Sequence, residues 1–393
     1  MPATSSRPCR LSPPAIVCPL GHELDQVADA LFAGRPGLVE EAALIPGRRV
    51  PVGRVESELP CAQDWPIGLR TRNNLLLAMA LERLNPELEA LRERIPEARI
   101  AVVLGTSTSS IAEGERAVMQ RGRDGTWPPD FRYATFELGS VSRFALDHLG
   151  LDGPGYTIST ACTSSAKALS SARRLLASGY DAVIAGGVDT LCGLTLNGFS
   201  SLEVISDRPC LPFSANRTGV NIGEAAALFL VTAEAGGIQL SGYGESSDAH
   251  HISAPCPDGR GAERAMRDAL EMASLSPEQI DYLNLHGTAT LQNDAMESIA
   301  VQRVFGSELP CSSTKALTGH TLGACGALEA AFCWLSLHHA RMPPHRFDGK
   351  VDPSLPALNL TTGGAFEGRR VMSNSFGFGG NNISLIMERS DVA

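Results

Sequence analysis

One cysteine near the middle of the chain occupies a position suited to nucleophilic chemistry. Cys162 lies in the stretch 157–166, which begins with β-prone residues and leads into the helical apolar spacing of residues 167–176. The free N–H groups and the positive dipole end of a helix stabilise an anion, so we expect the pKa of this thiol to be lowered. Neighbouring backbone N–H groups would then hold the oxyanion formed during acyl transfer.

The assignment of Cys162 depends on polar residues at the ends of later predicted strands, because most cysteines are small core hydrophobes and this chain has ten. His286 ends the apolar run 282–285, and His320 precedes a helix rich in small residues. Catalytic groups of α/β proteins gather at the carboxyl ends of strands. A cysteine at a helix start together with two such histidines predicts an acyl-transfer site.

The composition is that of an ordinary globular protein. The 393 residues are 43% hydrophobic and 19% charged, and the net charge of -10 argues against a general nucleic-acid binder. The cysteines form no CxxC pair and show no Cys/His metal spacing, and the first twenty residues lack the pattern of a signal peptide. We therefore expect reduced thiols, a cytoplasmic protein, no metal and, since no apolar run is long enough to span a bilayer, no membrane association.

Strands and helices alternate along the chain, which predicts an α/β fold. A continuous apolar run of the kind found in a buried strand occurs at 100–104, and further strands are predicted at 182–187, 225–232 and 280–285. Residues 69–91 predict a helix, or two helices broken near Pro86. Residues 233–237 look like a junction between two halves, 1–235 and 236–393, which would suit an internal duplication.

Four segments resemble the signatures of the elongating β-ketoacyl-acyl-carrier-protein synthases, in that family's order and with similar spacing. They are Thr-Ala-Cys-Thr-Ser at 160–164, His-Gly-Thr-Ala-Thr at 286–290, Lys-Ala-Leu-Thr-Gly-His at 315–320 and Asn-Ser-Phe-Gly-Phe-Gly-Gly at 374–380. The resemblance implies the thiolase fold, in which two similar halves form five layers, αβαβα, and the chain dimerises. The first half would carry the nucleophilic cysteine and the second half the two histidines.

The resemblance also implies catalytic roles. Cys162 would accept the acyl group, while His286 and His320 would bind the thioester carbonyl of a malonyl group and promote loss of CO2. Lys315 and Glu329 resemble the charged pair that orders this site, or they form an ion pair that is only structural.

Further positions would contact the substrate. Thr288 and Thr290 resemble residues at the pantetheine arm, and Phe376 would also bind substrate. Phe378 resembles a gating aromatic whose N–H joins that of Cys162 in an oxyanion hole. The remaining candidate, Thr108, lies in a loop that resembles the family segment lining the acyl tunnel.

The implied reaction is a decarboxylative Claisen condensation of the Cys162-bound acyl group with malonyl-acyl carrier protein. It would serve fatty-acid, aryl-polyene or polyketide elongation without a cofactor, since the substrates carry their own phosphopantetheine. The implied partners are the acyl carrier protein and a second subunit, either an identical chain or one similar to a chain-length factor. The alternative is a thiolase-fold acyltransferase or chain-length-factor-like subunit with little condensing activity of its own.

Other classes fit less well. A biosynthetic thiolase would have a second cysteine in the turn 374–380, and a non-catalytic chain-length factor would lack Cys162. A nucleotide-binding module is disfavoured because no helix opens after the glycines at 377–380.

Two further hypotheses concern partner and substrate. Five arginines are candidates for docking an acidic carrier protein, unless they form an ordinary solvated face: Arg70, Arg72, Arg121, Arg123 and Arg132. Hydroxyl groups around Thr108 would penalise a fully apolar chain in the tunnel and favour unsaturated or aryl-capped acyl groups. Alternatively, these hydroxyls bond locally and carry no information about the substrate.

Overall fold

A computed structural model describes residues 7–95 and 98–390. Its strands are, in chain order, β1 (Arg10–Leu11), β2 (Ala15–Val17), β3 (Leu38–Glu41), β4 (Val50–Gly53), β5 (Ile100–Gly105), β6 (Gly155–Ile158), β7 (Ala182–Asp189), β8 (Ala225–Thr232), β9 (Gly237–Ser247), β10 (Tyr282–Asn284), β11 (Pro310–Ser312), β12 (Arg341–Met342), β13 (Asn359–Leu360), β14 (Gly364–Ala365), β15 (Arg370–Gly377) and β16 (Asn381–Ser390).

The α-helices of the same ranges alternate with these strands. They are α1 (Leu24–Phe32), α2 (Arg72–Arg94), α3 (Ile111–Asp124), α4 (Ser140–Leu149), α5 (Ser164–Ala177), α6 (Gly193–Ser201), α7 (Arg260–Ala273), α8 (Leu291–Phe305), α9 (Lys315–Thr318) and α10 (Cys325–His339). Within the described residues, no helix combines the length and the apolar character that a membrane crossing requires.

The main sheet repeats one strand pattern twice. Its order is β13-β11-β10-β15-β16-β9-β1-β8-β7-β5-β6. In the first half β6, β5 and β7 are parallel and β8 is antiparallel to β7. In the second half β11, β10 and β15 are parallel and β16 is antiparallel to β15. The short strand β1 joins the two halves by pairing with both β8 and β9.

The helices complete five layers. Helices α5 and α10 lie between the two halves of the sheet, and their buried residues share one core with both. Helices α2 and α4 cover the outer face of the first half, and α7 and α8 cover the outer face of the second. A Cβ on Gly326 would lie 2.7 Å from the Cβ of Ala166, so α5 and α10 approach closely because a glycine stands at their contact. The predicted duplicated αβαβα thiolase fold is thus confirmed.

Helix α2 agrees with the first of the two predictions for residues 69–91, since it continues through Pro86 as one helix. Leu84, Leu88 and Leu91 pack into the same core on both sides of the proline, and this burial outweighs the local cost of the missing N–H. The division of the chain near residue 235 stays a prediction, and its outer limits, residues 1 and 393, lie outside the described residues.

Candidate active site

The turn between β6 and α5 presents Cys162. Ala161 adopts a left-handed conformation, with φ of 55°, directly before the cysteine. Side chains hold this turn, because the Thr163 hydroxyl donates to the carbonyl of Thr160 at 2.7 Å and the Ser164 hydroxyl accepts from the N–H of Thr160 at 2.9 Å. Cys162 is 6% exposed, at the base of a cavity.

Two histidines from the second half reach this thiol. His320 Nε2 lies 2.9 Å from Cys162 Sγ. The ring of His286 lies 5.3 Å from that of His320, nearly perpendicular to it. Glu297 holds the backbone of His286 and Gly287 by accepting both N–H groups at 2.7 Å. The sequence therefore predicts correctly that these three side chains meet.

Lys315 and Glu329 form a buried ion pair beneath the histidines. Lys315 Nζ is hydrogen-bonded to Glu329 Oε1 and also donates to the carbonyl oxygen of His286 at 2.8 Å. Burial raises the pKa of Glu329 to about 7, although the Lys315 ammonium acts in the opposite direction. The ammonium thus connects α10 to the backbone of one histidine.

Burial sets the protonation states of the site. It raises the pKa of Cys162 to about 11, while the Lys315 charge and the N–H groups of Phe378 and Cys162 act to lower it. The sequence-based expectation of a lowered pKa is therefore wrong, because desolvation of the thiolate exceeds the stabilisation by the helix start. Burial and the Lys315 charge hold the pKa values of His286 and His320 well below the usual range. The resting site is thus a neutral thiol hydrogen-bonded to a neutral imidazole.

The glycine loop after β15 covers the thiol. The N–H groups of Phe378 and Cys162 both act on the sulfur, which is the arrangement of an oxyanion hole. The Phe378 ring stacks on Phe199 of α6, with ring centroids 5.1 Å apart. Gly379 and Gly380 have φ of 78° and 76°, a conformation that favours glycine and lets the loop turn over the cavity.

One cavity brings most of the predicted residues together. It is lined by Cys162, His286, His320, Thr288, Thr290, Phe376 and Phe378, with Phe199, Leu202, Val204 and Val220 forming an apolar wall. Thr288 and Thr290 are hydrogen-bonded to each other at 3.0 Å, and Phe376 lies edge-on to His286 at 5.9 Å. Such a lining suits an apolar acyl group whose polar thioester reaches the thiol.

Thr108 stands apart from this cavity. Its hydroxyl donates to Asp189 Oδ1 at 2.7 Å, and the residue is only 4% exposed. The hydroxyl is thus satisfied inside the protein, as in the local-bonding alternative, and carries no argument for unsaturated or aryl-capped substrates.

The five candidate arginines do not surround the cavity either. Arg72 pairs with the fully buried carboxylate of Glu224 at 2.5 Å, which is a structural role. Arg121 lies over the ring of Trp127, and Arg70 and Arg132 donate to nearby backbone carbonyls while lining a separate groove.

Two triads among the described residues have the spacing of metal ligands. They are Cys162, His286 and His320, and His286, Cys325 and Glu329, each with its ligand atoms within 4.8 Å of one another. Lys315 adds a positive charge beside both triads, which opposes a further cation. Cys325 contacts the nucleophile segment as well, because its thiol donates to the carbonyl of Cys162 at 3.1 Å.

Sequence reasoning missed Asp189, Phe199 and Cys325. A polar residue that follows a buried strand is the signal that would have found Asp189, since it ends β7. Phe199 lies on a helix with little amphipathic pattern, and Cys325 resembles a core cysteine in a run of small residues.

Fold and site together place a cysteine thiol beside two histidines in one cavity between the two halves of the chain. Models of the beta-ketoacyl synthase N-terminal and C-terminal domains match residues 74–235 and 238–346, and the chain belongs to this family.

Solved structures similar along the whole chain include the ketosynthase ApeO in complex with its chain length factor ApeC from Xenorhabdus doucetiae. That likeness has 44% identity, a TM-score of 0.93, and coverage of 99% of this chain and 100% of the other. A beta-ketoacyl synthase from Burkholderia phymatum has 29% identity and a TM-score of 0.87, covering 98% of this chain and 100% of the other.

Curated relatives match over a shorter region. The mitochondrial 3-oxoacyl-acyl-carrier-protein synthase of Arabidopsis thaliana is 39% identical over 60% of this chain and 57% of its own length. Synthase 2 of Rhizobium meliloti is 38% identical over 61% of this chain and 62% of its own length. The chain thus spans less than two thirds of the length of these relatives.

Proposed function

We propose that this chain condenses an acyl group on Cys162 with malonyl-acyl carrier protein, releasing CO2 and giving a β-ketoacyl-acyl carrier protein. The observation that carries the proposal is the contact of 2.9 Å between Cys162 Sγ and His320 Nε2, inside a cavity that also holds His286.

The acyl transfer begins from a neutral thiol. Cys162 passes its proton towards His320 as the sulfur attacks the acyl-carrier thioester, because a thiol with a raised pKa is a weak nucleophile without a base. The N–H groups of Cys162 and Phe378 stabilise the oxyanion, and the carrier thiol leaves with the proton. Thr288 and Thr290 line the path of the phosphopantetheine arm.

The condensation uses the histidines as donors. As neutral imidazoles, His286 and His320 each supply one N–H to the malonyl thioester oxygen and so stabilise the enolate left by decarboxylation. The enolate carbon attacks the acyl-Cys162 carbonyl, the C–S bond breaks as the β-keto product forms, and the departing thiolate takes up one proton from solvent to restore the neutral thiol. Lys315 and Glu329 act by positioning His286, and no cofactor takes part.

The proposed partners are an acyl carrier protein and a second subunit of the same fold. The support for a chain-length-factor-like subunit is that two similar structures are ketosynthase and chain length factor pairs. We place the reaction in the cytoplasm, where thiols stay reduced, since the cysteines of the described ranges are free.

Intact-mass analysis after incubation with a panel of acyl-carrier thioesters tests the first step. We expect one acyl adduct on Cys162, followed by release of β-ketoacyl-carrier when malonyl-carrier is added. Peptide mapping separates this adduct from labelling of the exposed Cys61, and Cys61→Ala is the matched control. Acylation without any condensation, alone and with a co-expressed chain length factor, would favour the simple acyltransferase.

A further inference from the structure

Asp189, at the end of β7, is a fully buried carboxylate that gathers hydrogen bonds from two separate loops. Its oxygens accept from the loop after β5, namely from the hydroxyl of Thr106 at 2.6 Å, the N–H of Ser107 at 2.9 Å, and the N–H and hydroxyl of Thr108 at 2.8 and 2.7 Å. They also accept the N–H of Gly323 at 2.6 Å.

These donors are all neutral, although the carboxylate is 0% exposed. Burial raises the pKa of Asp189 above its usual value, and the hydrogen bonds from Thr106, Ser107 and Thr108 oppose this shift without cancelling it. An ionised carboxylate is acceptor-only, whereas an amide or protonated acid would turn a donor towards this ring of donors. The five donor groups around Asp189 therefore suit the acceptor-only carboxylate better than an amide.

Both loops reach the catalytic centre. Gly323 follows His320 by three residues, and a Cβ on it would lie 2.7 Å from Asp189 Oδ2 and 2.7 Å from Ser107 Oγ. On the other side, the Ser107 hydroxyl donates to the carbonyl of Ala161, the residue before Cys162, at 3.3 Å. Asp189 thus connects the segment that carries His320 to the turn that carries the nucleophile.

We propose that Asp189 is a positioning residue whose carboxylate holds His320 against Cys162 through Gly323 and the loop 106–108. The inference rests on the condensing activity proposed above. Asp189 would thus set the distance between the His320 imidazole and the Cys162 thiol without touching the substrate or either of these two side chains.

The test measures the malonyl decarboxylation that the Cys162→Ala enzyme retains, since this step uses His320 but not the thiol. Adding Asp189→Asn is expected to lower kcat about 10²-fold with KM for malonyl-carrier nearly unchanged, because a shift of about 1 Å in a catalytic group costs that much. The matched control is Asp281→Asn, which removes a carboxylate that accepts the N–H groups of Arg369 and Arg370 far from the site.

Two results together would overturn the proposal. Adding Asp189→Asn to the Cys162→Ala parent would leave kcat for decarboxylation unchanged, and its change in Tm would be like that of Asp281→Asn. If that parent shows no decarboxylation, the proposed function has failed instead. A crystal structure of Asp189→Asn then decides the positioning role separately, with a lengthened distance between His320 Nε2 and Cys162 Sγ expected and an unchanged one refuting it.

Two milder variants keep the proposal testable if Asp189→Asn does not fold. Thr106→Val removes one hydroxyl donor at nearly constant volume, and Gly323→Ala pushes the same contact apart from the other side. Each is expected to lower kcat without raising KM, and combining the two is expected to give less than the product of their effects because they act on one contact. Full activity in both variants would refute the role of Asp189.

Discussion

Replacing Lys315 by methionine separates the structural and catalytic contributions of the buried ion pair. The substitution leaves the carboxylate of Glu329 without its partner in a site where both side chains are at most 3% exposed. Breaking such a pair costs about 3–5 kcal/mol. Unfolding entropy amounts to about 0.8 kcal/mol per degree for a chain of 393 residues, so we expect Tm to fall by about 4–6 °C.

The loss depends on pH in a defined direction. Burial already raises the pKa of Glu329 to about 7, and removing the Lys315 charge raises it further. A carboxyl whose folded pKa lies above its unfolded value binds extra protons when folded, so stability falls as pH rises towards the folded pKa. Lys315→Met is therefore expected to be more destabilising at pH 8.5 than at pH 6.

A double variant distinguishes stability from catalysis. Lys315→Met with Glu329→Gln removes both charges and is expected to recover most of Tm. It does not restore the hydrogen bond to the His286 carbonyl, so condensation is expected to stay about 10²-fold low. Differential scanning calorimetry and mass-spectrometric assay of β-ketoacyl-carrier provide the two measurements.

The exposed pair of Arg143 and Asp147 provides the control, since Arg143→Met should cost no more than about 1 kcal/mol. A thermal shift for Lys315→Met equal to that of the control, or a double variant with the parent rate, would refute this account of the ion pair.

Three further predictions follow from the protonation states and the site. Cys162→Ala is expected to abolish condensation but to retain malonyl decarboxylation. His286→Ala and His320→Ala are each expected to slow condensation about 10²–10⁴-fold in the same assay. A near-normal rate of condensation in any of these variants would remove that residue from the site. Alkylation of Cys162 by iodoacetamide, followed by peptide mass spectrometry, is expected to keep rising up to about pH 11, and a plateau at pH 9 would contradict the raised pKa. Burial raises the pKa of Glu297 from 4.5 to about 7, so the parent loses stability as pH rises through this range. Glu297→Gln lacks this titration and is expected to gain about 3 kcal/mol in free energy of unfolding relative to the parent between pH 4.5 and 7. Parallel curves of unfolding free energy against pH for the two proteins would contradict this.

The buried strands and the meeting of Cys162, His286 and His320 could be predicted from the sequence because the information is local. A continuous apolar run identifies a buried strand, and polar residues just after such runs converge at one edge of the sheet. The resemblance to the synthase signatures then supplied Lys315 and Glu329, which the structure brings together beneath the histidines.

The sequence-based predictions that failed concern side chains with distant partners or a group whose pKa is set by burial. Asp189 lies 81 residues from Thr108, and Glu224 lies 152 residues from Arg72, so no local pattern shows that these side chains are already engaged. The argument from the helix start considers the dipole, which lowers the pKa of Cys162. It leaves out the desolvation of the thiolate, which raises this pKa and has the larger effect. Helix α3 was not predicted from the sequence, because its buried residues, Gly114 and Ala117, are too small to mark an apolar face.

The repeated strand pattern gives every loop of the site a counterpart in the other half. The loop after β5, which bonds Asp189, corresponds by strand order to the loop after β10, which carries His286. In each, a buried carboxylate accepts two consecutive backbone N–H groups, Asp189 from Ser107 and Thr108, and Glu297 from His286 and Gly287. The two corresponding loops thus differ in what they supply, since the loop after β10 carries His286 into the cavity whereas the loop after β5 provides hydrogen bonds to Asp189, and exchanging residues between the two loops would show how far these roles can be reversed.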